Sequence, residues 1–352
     1  MPSPRPPTVV VALTLSIFGG GCAAAPAAPP GAPTPASGPL RMRDGPSTPR
    51  ESPPAPLPGG APGAGAAPGR EKRAALRFDI EGRPFASPLV DVLIAGQPTT
   101  LLVDTGATHH VVAQWLASEL SLPTKKAGDA GTDHTGRAVA VSRIEDANVS
   151  LSGWGKIAAP VLLVIKVPEV LHKLGVGGIL SPQALTGDGR GVILDLRLGS
   201  MTEATVAEAL GRLGTEPGGA PPLSLRVCGG GSADGSQLVA KVTIEGFDAE
   251  VKIDSGASHS SLFGGQGVGQ KLAGRAGGTS SAYAASGRIT VPTVQGAKVK
   301  LGTFEGSADI DILPAKTAAA ACASDGYIGM DVLRSCVIVL AKDRSAMRCA
   351  AR

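Results

Sequence analysis

The chain has 352 residues, a formal net charge of +4, two tyrosines and two tryptophans. The mild charge and the scarcity of aromatic residues exclude the basic, aromatic surfaces with which proteins bind nucleic acids. Because 18 of the 30 prolines lie before residue 69, about 280 residues remain to form a core, enough for two domains of ordinary size.

The first residues have the pattern of an export signal. Arg5 precedes an apolar run at residues 9–18, which is too short to span a bilayer but suits the core of a signal peptide. Cys22 follows three glycines and resembles the acylated cysteine of bacterial lipoproteins, although Gly19 stands where that motif usually has leucine. We predict a lipoprotein-type signal peptide at 1–22, with plain cleavage as the alternative. The protein would be exported, either lipid-anchored at the periplasmic face of a bacterial membrane or secreted, and only the lipid would touch the membrane.

Residues 23–72 consist mainly of Pro, Ala and Gly. Such a segment buries too little apolar surface to offset its ordering entropy, which predicts a disordered tether. The remaining chain divides into two domains at 73–214 and 224–352, joined by a linker at 215–223 that contains the Pro/Gly stretch TEPGGAPP.

The first of these domains begins with alternating apolar and polar residues and the turn signals EGRP and AGQP, followed by the phrase LLVDTGATHH at 101–110. A predicted helix at VVAQWLASEL comes next, then the block TGR from Thr135 and the block GGILSPQAL from Gly177, where SPQALTG predicts a short helix. The strand VILDLRL and a predicted helix in MTEATVAEALGRLG complete this half.

The second domain repeats these blocks in the same order. After the turn signal EGFD, VKIDSGASHS stands 150 positions beyond its counterpart, SGR from Ser286 stands 151 beyond TGR, and DGYIGMDVL from Asp325 stands 148 beyond GGILSPQAL. A predicted helix at MDVLRS and the strand CVIVLAKD follow. The shared order and spacing predict two copies of one β-rich domain.

Four cysteines follow Cys22, namely Cys228, Cys322, Cys336 and Cys349. The absence of a CxxC pair disfavours zinc, and an even number of cysteines in an exported chain favours disulfides. Of the three possible connectivities we prefer Cys336 with Cys349, which flank a predicted hairpin, and this leaves Cys228 with Cys322. Four buried thiols are the alternative.

In each copy an Asp comes directly after an aliphatic strand, which would place its carboxylate in an apolar interior. A second carboxylate compensates if the pair shares one proton, because two close Asp groups cannot both ionise cheaply. A water held between Asp104 and Asp254 could then be deprotonated as it attacks a carbonyl. Gly106 and Gly256 would let backbone amides approach the two carboxylates.

The D-T-G-A and D-S-G-A motifs resemble those of the aspartic peptidases of the retropepsin and pepsin superfamily, and the short halves resemble retropepsin-like bacterial proteins most. The resemblance implies an all-β fold with short helices, in which two homologous retropepsin-like β-barrel lobes form a bilobal acid-protease fold with the active site between them. It also implies that Asp104 and Asp254 are the catalytic dyad and that the hydroxyls of Thr105 and Ser255 interlock the two loops.

The family has an apolar-apolar-Gly element beside each catalytic loop. The second half matches it with YIG at 327–329, but the first half has ILS at 179–181. Ser181 therefore raises the question of whether the first lobe holds its carboxylate in place. The flaps that close over substrate would be the hairpins around 133–138 and 283–288, with the substrate-binding residues His134, Thr135, Gly136, Tyr283, Ser286 and Gly287.

Two further features concern metal binding and pH. His109 and His259 lie five residues after each Asp, with two further histidines near the first, but no HExxH or comparable pair exists, so we expect neither a metal nor another cofactor. Ala107 and Ala257 stand where pepsin-like enzymes tend to have a hydroxyl residue. We therefore expect activity to peak at weakly acid pH.

These features predict an aspartic endopeptidase that hydrolyses peptide bonds of extended peptide or protein substrates, acting as a monomer with intramolecular pseudo-two-fold symmetry. The alternative is a catalytically weak or inactive pseudo-peptidase, which would bind a peptide or an envelope partner. A structural envelope lipoprotein is a third, more distant hypothesis. Retention of both Asp residues favours the enzyme, because a pure binding module has no reason to bury two uncompensated carboxylates.

Overall fold

The computed structural model describes residues 10–11, 15–16, 71–127, 131–133, 138–157, 161–214, 221–229, 236–284, 287–314 and 322–350. Several predictions concern other residues. These are Cys22, nearly all of the predicted signal peptide and tether, linker residues 215–220, and the flap residues His134, Thr135, Gly136 and Ser286, all of which lie outside the described residues.

The described chain is built mainly from strands, with five short helices among its described residues, which confirms the prediction of an all-β fold with short helices. Up to residue 214 the strands are β1 Val10–Val11, β2 Leu15–Ser16, β3 Arg73–Ala75, β4 Arg77–Ile80, β5 Arg83–Ile94, β6 Gln97–Val103, β7 Val111–Ala113, β8 Lys125–Lys126, β9 Gly131–Asp133, β10 Ala138–Val139, β11 Ser142–Glu145, β12 Val149–Leu151, β13 Gly155–Lys156, β14 Val161–Ile165, β15 Val176–Leu180, β16 Arg190–Asp195 and β17 Ser200–Thr205. The later strands are β18 Leu223–Cys228, β19 Gln237–Ile244, β20 Phe247–Ile253, β21 Ser261–Phe263, β22 Gly278–Ala284, β23 Gly287–Leu301, β24 Phe304–Leu313, β25 Gly326–Ile328, β26 Cys336–Leu340 and β27 Ser345–Cys349. The helices are α1 Gln114–Glu119, α2 Glu169–Lys173, α3 Val206–Gly214, α4 Gly267–Ala273 and α5 Met330–Leu333, with a 3-10 turn at Gln183–Leu185.

The strand pairing is the same in the two halves. In the first half, β5 and β6 form a hairpin, β6 runs parallel to β15, β15 runs antiparallel to β7, and β7 runs parallel to β14. In the second half, β19, β20, β25, β21 and β24 pair in that order and with those directions. The blocks that repeat in the sequence therefore occupy equivalent places in their sheets.

The sheet of the second half continues into the first, and its end has the strand order β18, β27, β26, β16, β17, β3. The halves meet at the antiparallel pair β16 and β26, in which Val192 lies opposite Leu340. These two residues are fully buried and belong to an apolar core that contains residues of both halves. The pairing brings the two halves into one continuous core.

Three tight turns follow from glycine placement. Glu81 and Gly82, Ala95 and Gly96, and Glu245 and Gly246 all have positive φ angles, between 51° and 82°. Two successive positive φ angles are the signature of the hairpin turn that matches strand twist. The turns predicted at EGRP, AGQP and EGFD are thus confirmed.

Two predicted helices begin later than expected. In VVAQWLASEL, Val111 and Val112 belong to β7, and α1 starts only at Gln114, because these β-branched residues fill a buried strand between β14 and β15. In MTEATVAEALGRLG, the residues up to Thr205 belong to β17. There Thr205 and Glu208 form a capping box, with the Glu208 N–H donating to Thr205 Oγ1 at 3.3 Å, so that α3 starts at Val206.

The cysteine prediction is confirmed. Cys336 and Cys349 lie directly opposite each other in the hairpin of β26 and β27 and form a disulfide, and Cys228 is bonded to Cys322.

None of the helices in the described part of the chain has the length and apolar composition needed to cross a bilayer.

Candidate active site

Equivalent strand ends place Asp104 and Asp254. Asp104 follows β6 and Asp254 follows β20, and both residues are fully buried. The Asp104 N–H donates to Leu180 O at 3.0 Å, and the Asp254 N–H donates to Ile328 O at 3.0 Å. Each Asp is therefore fixed by the neighbouring strand of its own half, β15 or β25.

Four hydrogen bonds join the two motifs. The Thr105 N–H donates to Ser255 Oγ at 3.0 Å, and the Ser255 N–H donates to Thr105 Oγ1 at 2.9 Å. Each hydroxyl then donates across the junction, Thr105 Oγ1 to Ile253 O and Ser255 Oγ to Val103 O, both at 2.8 Å. All four groups are buried, so the two loops hold each other in register, as the resemblance implies.

The two Asp carboxyl groups come within hydrogen-bonding reach of each other. Asp104 Oδ1 accepts from the N–H groups of Gly106 at 2.6 Å and Ala107 at 3.2 Å, and Asp254 Oδ1 accepts from the Ala257 N–H at 3.0 Å. Gly256 packs directly against the Asp104 carboxyl, where a Cβ atom would lie 2.5 Å from Cγ. The glycines predicted to admit backbone amides thus serve two purposes: Gly106 supplies a donor, and Gly256 supplies space.

The pKa of Asp104 is raised well above its usual value. Burial is the largest cause, followed by the charge of Asp254 and by the hydrogen bond between the two side chains, while the N–H groups of Gly106 and Ala107 act in the opposite direction. Asp104 Oδ2 is buried and has no hydrogen-bond donor among the described residues when both carboxyls are ionised. One proton shared by the two carboxyls removes the repulsion between their charges, and such a pair can carry out general acid–base chemistry.

The residue behind each dyad loop differs between the halves. Gly329 of the second half has no room for a side chain, because a Cβ atom would lie 2.6 Å from His259 O. Ser181, at the equivalent place, is fully buried, and its Oγ donates to Ala107 O at 2.7 Å. The substitution noted in the sequence is accommodated, and the bond from the Asp104 N–H to Leu180 O keeps the 3.0 Å length of its counterpart.

Four supporting residues were missed by sequence reasoning. In the first half, His110 Nδ1 accepts from the Ser181 N–H at 3.1 Å, and Gln183 Nε2 donates to Thr105 O. In the second half, Asp331 accepts from the N–H of Ser260 at 3.1 Å and from its hydroxyl at 2.8 Å. Burial raises the pKa of Asp331. The signal available in the sequence was that each pair occupies matching places in the repeated blocks.

The histidines five residues after each Asp contact groups of their own halves. Thr108 Oγ1 and His109 Nδ1 are 2.9 Å apart, and His259 lies near enough to Asp331 to interact with its charge. Within the described ranges, no cluster of three or more metal-ligating side chains occurs. His134 lies outside those ranges.

The predicted flap hairpins are partly described. In the second half, β22 and β23 pair from Gly278 to Gly287, and Tyr283 lies opposite Arg288. In the first half, β9 and β10 form the corresponding antiparallel pair. The short strands β1 and β2 pair with β22 and β9 respectively, so an edge of each hairpin accepts an extended segment.

The sequence comparisons agree with this geometry for the first half. Residues 90–181 match the family model described as aspartyl protease. The matched segment runs from β5 through Asp104 and ends at Ser181. No curated protein matches the chain.

Proposed function

We propose that the chain is an aspartic endopeptidase in which Asp104 and Asp254 activate a water molecule between them. The family match of the first half indicates peptide hydrolysis in general. The observation that carries the finer assignment is the pair of buried carboxyls, brought within hydrogen-bonding reach by two interlocked motifs. If the two motifs served packing alone, nothing would explain why two carboxyls are buried side by side.

The chemistry follows from one proton shared by two carboxyls. In the free enzyme burial and the charge of its neighbour raise the pKa of Asp104, so that the pair shares one proton; in the proposed reaction Asp104 is the acid and Asp254 the base. Water attacks the peptide carbonyl carbon and loses a proton to Asp254, while Asp104 donates its proton to the carbonyl oxygen. The tetrahedral species then collapses: the C–N bond breaks, Asp254 returns a proton to the leaving nitrogen, and Asp104 recovers a proton from a hydroxyl.

Extended peptides are the proposed substrates. The pairing of β1 with β22 and of β2 with β9 supports this, because in each case an extended segment adds to a hairpin edge through its backbone. We further propose that the halves are homologous lobes of one monomer, and that export and a lipid anchor at Cys22 place it at the periplasmic face of a membrane. The repeated strand pairing supports the first of these statements, and only the sequence supports the second.

The test uses the full-length protein and a mixed peptide library at pH 3 to 7, with and without pepstatin. Asp104→Asn and Asp254→Asn should each lower kcat/KM by at least about 1,000-fold, because a dyad with one amide cannot transfer both protons. Asp343→Asn, an exposed Asp in the turn after β26, is the control and should leave kcat/KM unchanged. Cleavage that survives Asp104→Asn would contradict the dyad. A folded protein without any cleavage would favour the pseudo-peptidase.

A further inference from the structure

The two halves differ in the residues that lie directly behind the dyad loops. The first half has Pro182 where the second has Met330, and this pair matters because proline has no backbone N–H. Two further exchanges accompany it: Ser181 stands where the second half has Gly329, and His110 stands at the same distance after its Asp as Ser260. The exchanges affect two backbone groups in each half: the carbonyl of Ala107 or Ala257, and the N–H of Ser181 or Gly329.

The second half holds its loop with a backbone donor. The Met330 N–H donates to Ala257 O at 2.8 Å. Ala257 is completely buried, and its N–H is the group that donates to Asp254 Oδ1. The carbonyl and the amide of this single residue are therefore both bonded, and the end of the carboxylate loop is fixed.

The first half cannot use that bond. Pro182 has a helical conformation, with φ −69° and ψ −23°, but it has no proton to donate. Ala107 O would be left in the interior without a donor, which destabilises the fold because a buried acceptor has given up its hydrogen bond to water. Instead Ser181 Oγ donates to this oxygen at 2.7 Å.

The N–H of the preceding residue, Gly329 or Ser181, also has a different acceptor in the two halves. In the second half, the Gly329 N–H donates to Ser260 Oγ at 3.0 Å. In the first half, the Ser181 N–H donates to His110 Nδ1 at 3.1 Å. Since Nδ1 accepts, the neutral ring carries its proton on Nε2. The backbone N–H of Ser181 is thus bonded to His110, and its side-chain hydroxyl is bonded to the carbonyl of Ala107.

We propose that Ser181 is a positioning residue whose hydroxyl replaces the N–H that Pro182 lacks and thereby holds the Asp104 loop. The inference rests on the proposed function, because it assigns Ser181 to the support of the catalytic carboxyl. The chain of contacts is short: Ser181 fixes the Ala107 carbonyl, and the Ala107 N–H donates to Asp104 Oδ1 at 3.2 Å. Ser181 departs from the glycine that the family has at this place, and its hydroxyl allows a proline to follow.

A double-mutant cycle in the full-length protein tests the proposal: wild type, Ser181→Ala, Pro182→Met and the double variant. Ser181→Ala alone should lower kcat by about tenfold or more with KM nearly unchanged, because the carboxyl loses its orientation. It should raise the equilibrium constant of unfolding by about 5- to 150-fold. In the presence of Pro182→Met, which supplies an N–H, the effect of Ser181→Ala should shrink to within about twofold on both measures.

A pH profile separates positioning from general support of the fold. Ser181→Ala should move the alkaline limb of kcat/KM to higher pH, because Asp104 loses part of the Ala107 N–H that lowers its pKa. Ser118→Ala is the matched control. Its hydroxyl also donates to a carbonyl, Gln114 O at 2.9 Å, but lies exposed on α1, and neither kcat nor the pH profile should change.

The outcomes are distinguishable. If Ser181→Ala leaves kcat and unfolding unchanged, or if the effects of the two substitutions simply add, the proposal is wrong. If no variant, wild type included, cleaves peptides, the proposed function is wrong. In that case rescue of the unfolding equilibrium by Pro182→Met would still show that Ser181 replaces the missing N–H.

Discussion

Gly256 shows how little space the dyad has. A Cβ atom at this position would lie 2.5, 2.7 and 2.9 Å from Cγ, Oδ2 and Oδ1 of Asp104. Contacts below about 3 Å force neighbours to move, and overpacking of this kind costs about 1–3 kcal/mol. The glycine is therefore needed for the approach of the carboxyls, whereas its counterpart Gly106 contributes its backbone N–H to Asp104 Oδ1.

The prediction at this scale is that Gly256→Ala lowers kcat/KM by at least about 100-fold and destabilises the protein by about 1–3 kcal/mol, because the Asp104 carboxyl must leave its place. Steady-state kinetics and urea unfolding measure the two effects. Gly274→Ala is the control, since nothing lies within 4 Å of the added Cβ and the backbone there is helical. Near-normal activity of Gly256→Ala would mean that the carboxyls are not held this closely.

Among the elements, the hairpin of β22 and β23 is attached to the second half by a buried carboxylate. Asp311 on β24 is 1% exposed, and its Oδ1 accepts from Ser280 Oγ on β22 at 2.6 Å and from Thr293 Oγ1 on β23 at 2.8 Å. Leu163 occupies the matching place in the first half. Its N–H donates to His110 O, just as the Asp311 N–H donates to Ser260 O. The polar attachment of the second-half hairpin therefore has no counterpart at Leu163, whose side chain cannot accept a hydrogen bond.

Asp311→Leu, which introduces the first half's residue, should cost about 2–5 kcal/mol in urea unfolding and raise KM, because two hydroxyls lose their acceptor and the hairpin loosens. Asp311→Asn should cost about 1–2 kcal/mol, since an amide oxygen still accepts both bonds but without the added strength of a charged acceptor. Equal losses for the two variants would rule out the carboxyl oxygen as the attachment point.

At the scale of the whole molecule, the repeat made most of the fold predictable. The spacing of the blocks located both motifs, and the glycine-containing signals located the hairpin turns, because positive φ angles are a local property. Val111 and Val112 were misread as helical because a short apolar run is compatible with a buried strand or a buried helix, and only the pairing with β14 and β15 decides between them. The roles of His110 and Gln183 were not readable, since they depend on which backbone groups face them after folding.

Stability should depend on pH through the buried histidine of the first half. Burial lowers the pKa of His110 to about 4 from its usual 6.5, and the charge of His109 adds to the effect. Because the folded-state pKa is the lower one, the unfolded chain binds this proton first as the pH falls. Stability from His110 is therefore complete above pH 6.5, declines between 6.5 and 4, and stays constant below 4, a total loss of about 3 kcal/mol.

Asp104 and Asp331 act in the opposite direction, since their pKa values are raised and their contribution is lost as the pH rises. A difference measurement isolates His110: urea unfolding of the wild type and of His110→Asn, whose side-chain oxygen can still accept from the Ser181 N–H, at pH 7, 5.5, 4 and 3. The stability advantage of the wild type should shrink by about 3 kcal/mol between pH 7 and pH 4 and then stay level. Ser118→Ala, an exposed substitution on α1 that removes no titratable group, is the control and should differ from the wild type by the same amount, within about 0.5 kcal/mol, at every pH. A constant advantage for the wild type over His110→Asn would show that burial does not hold the ring in its neutral form.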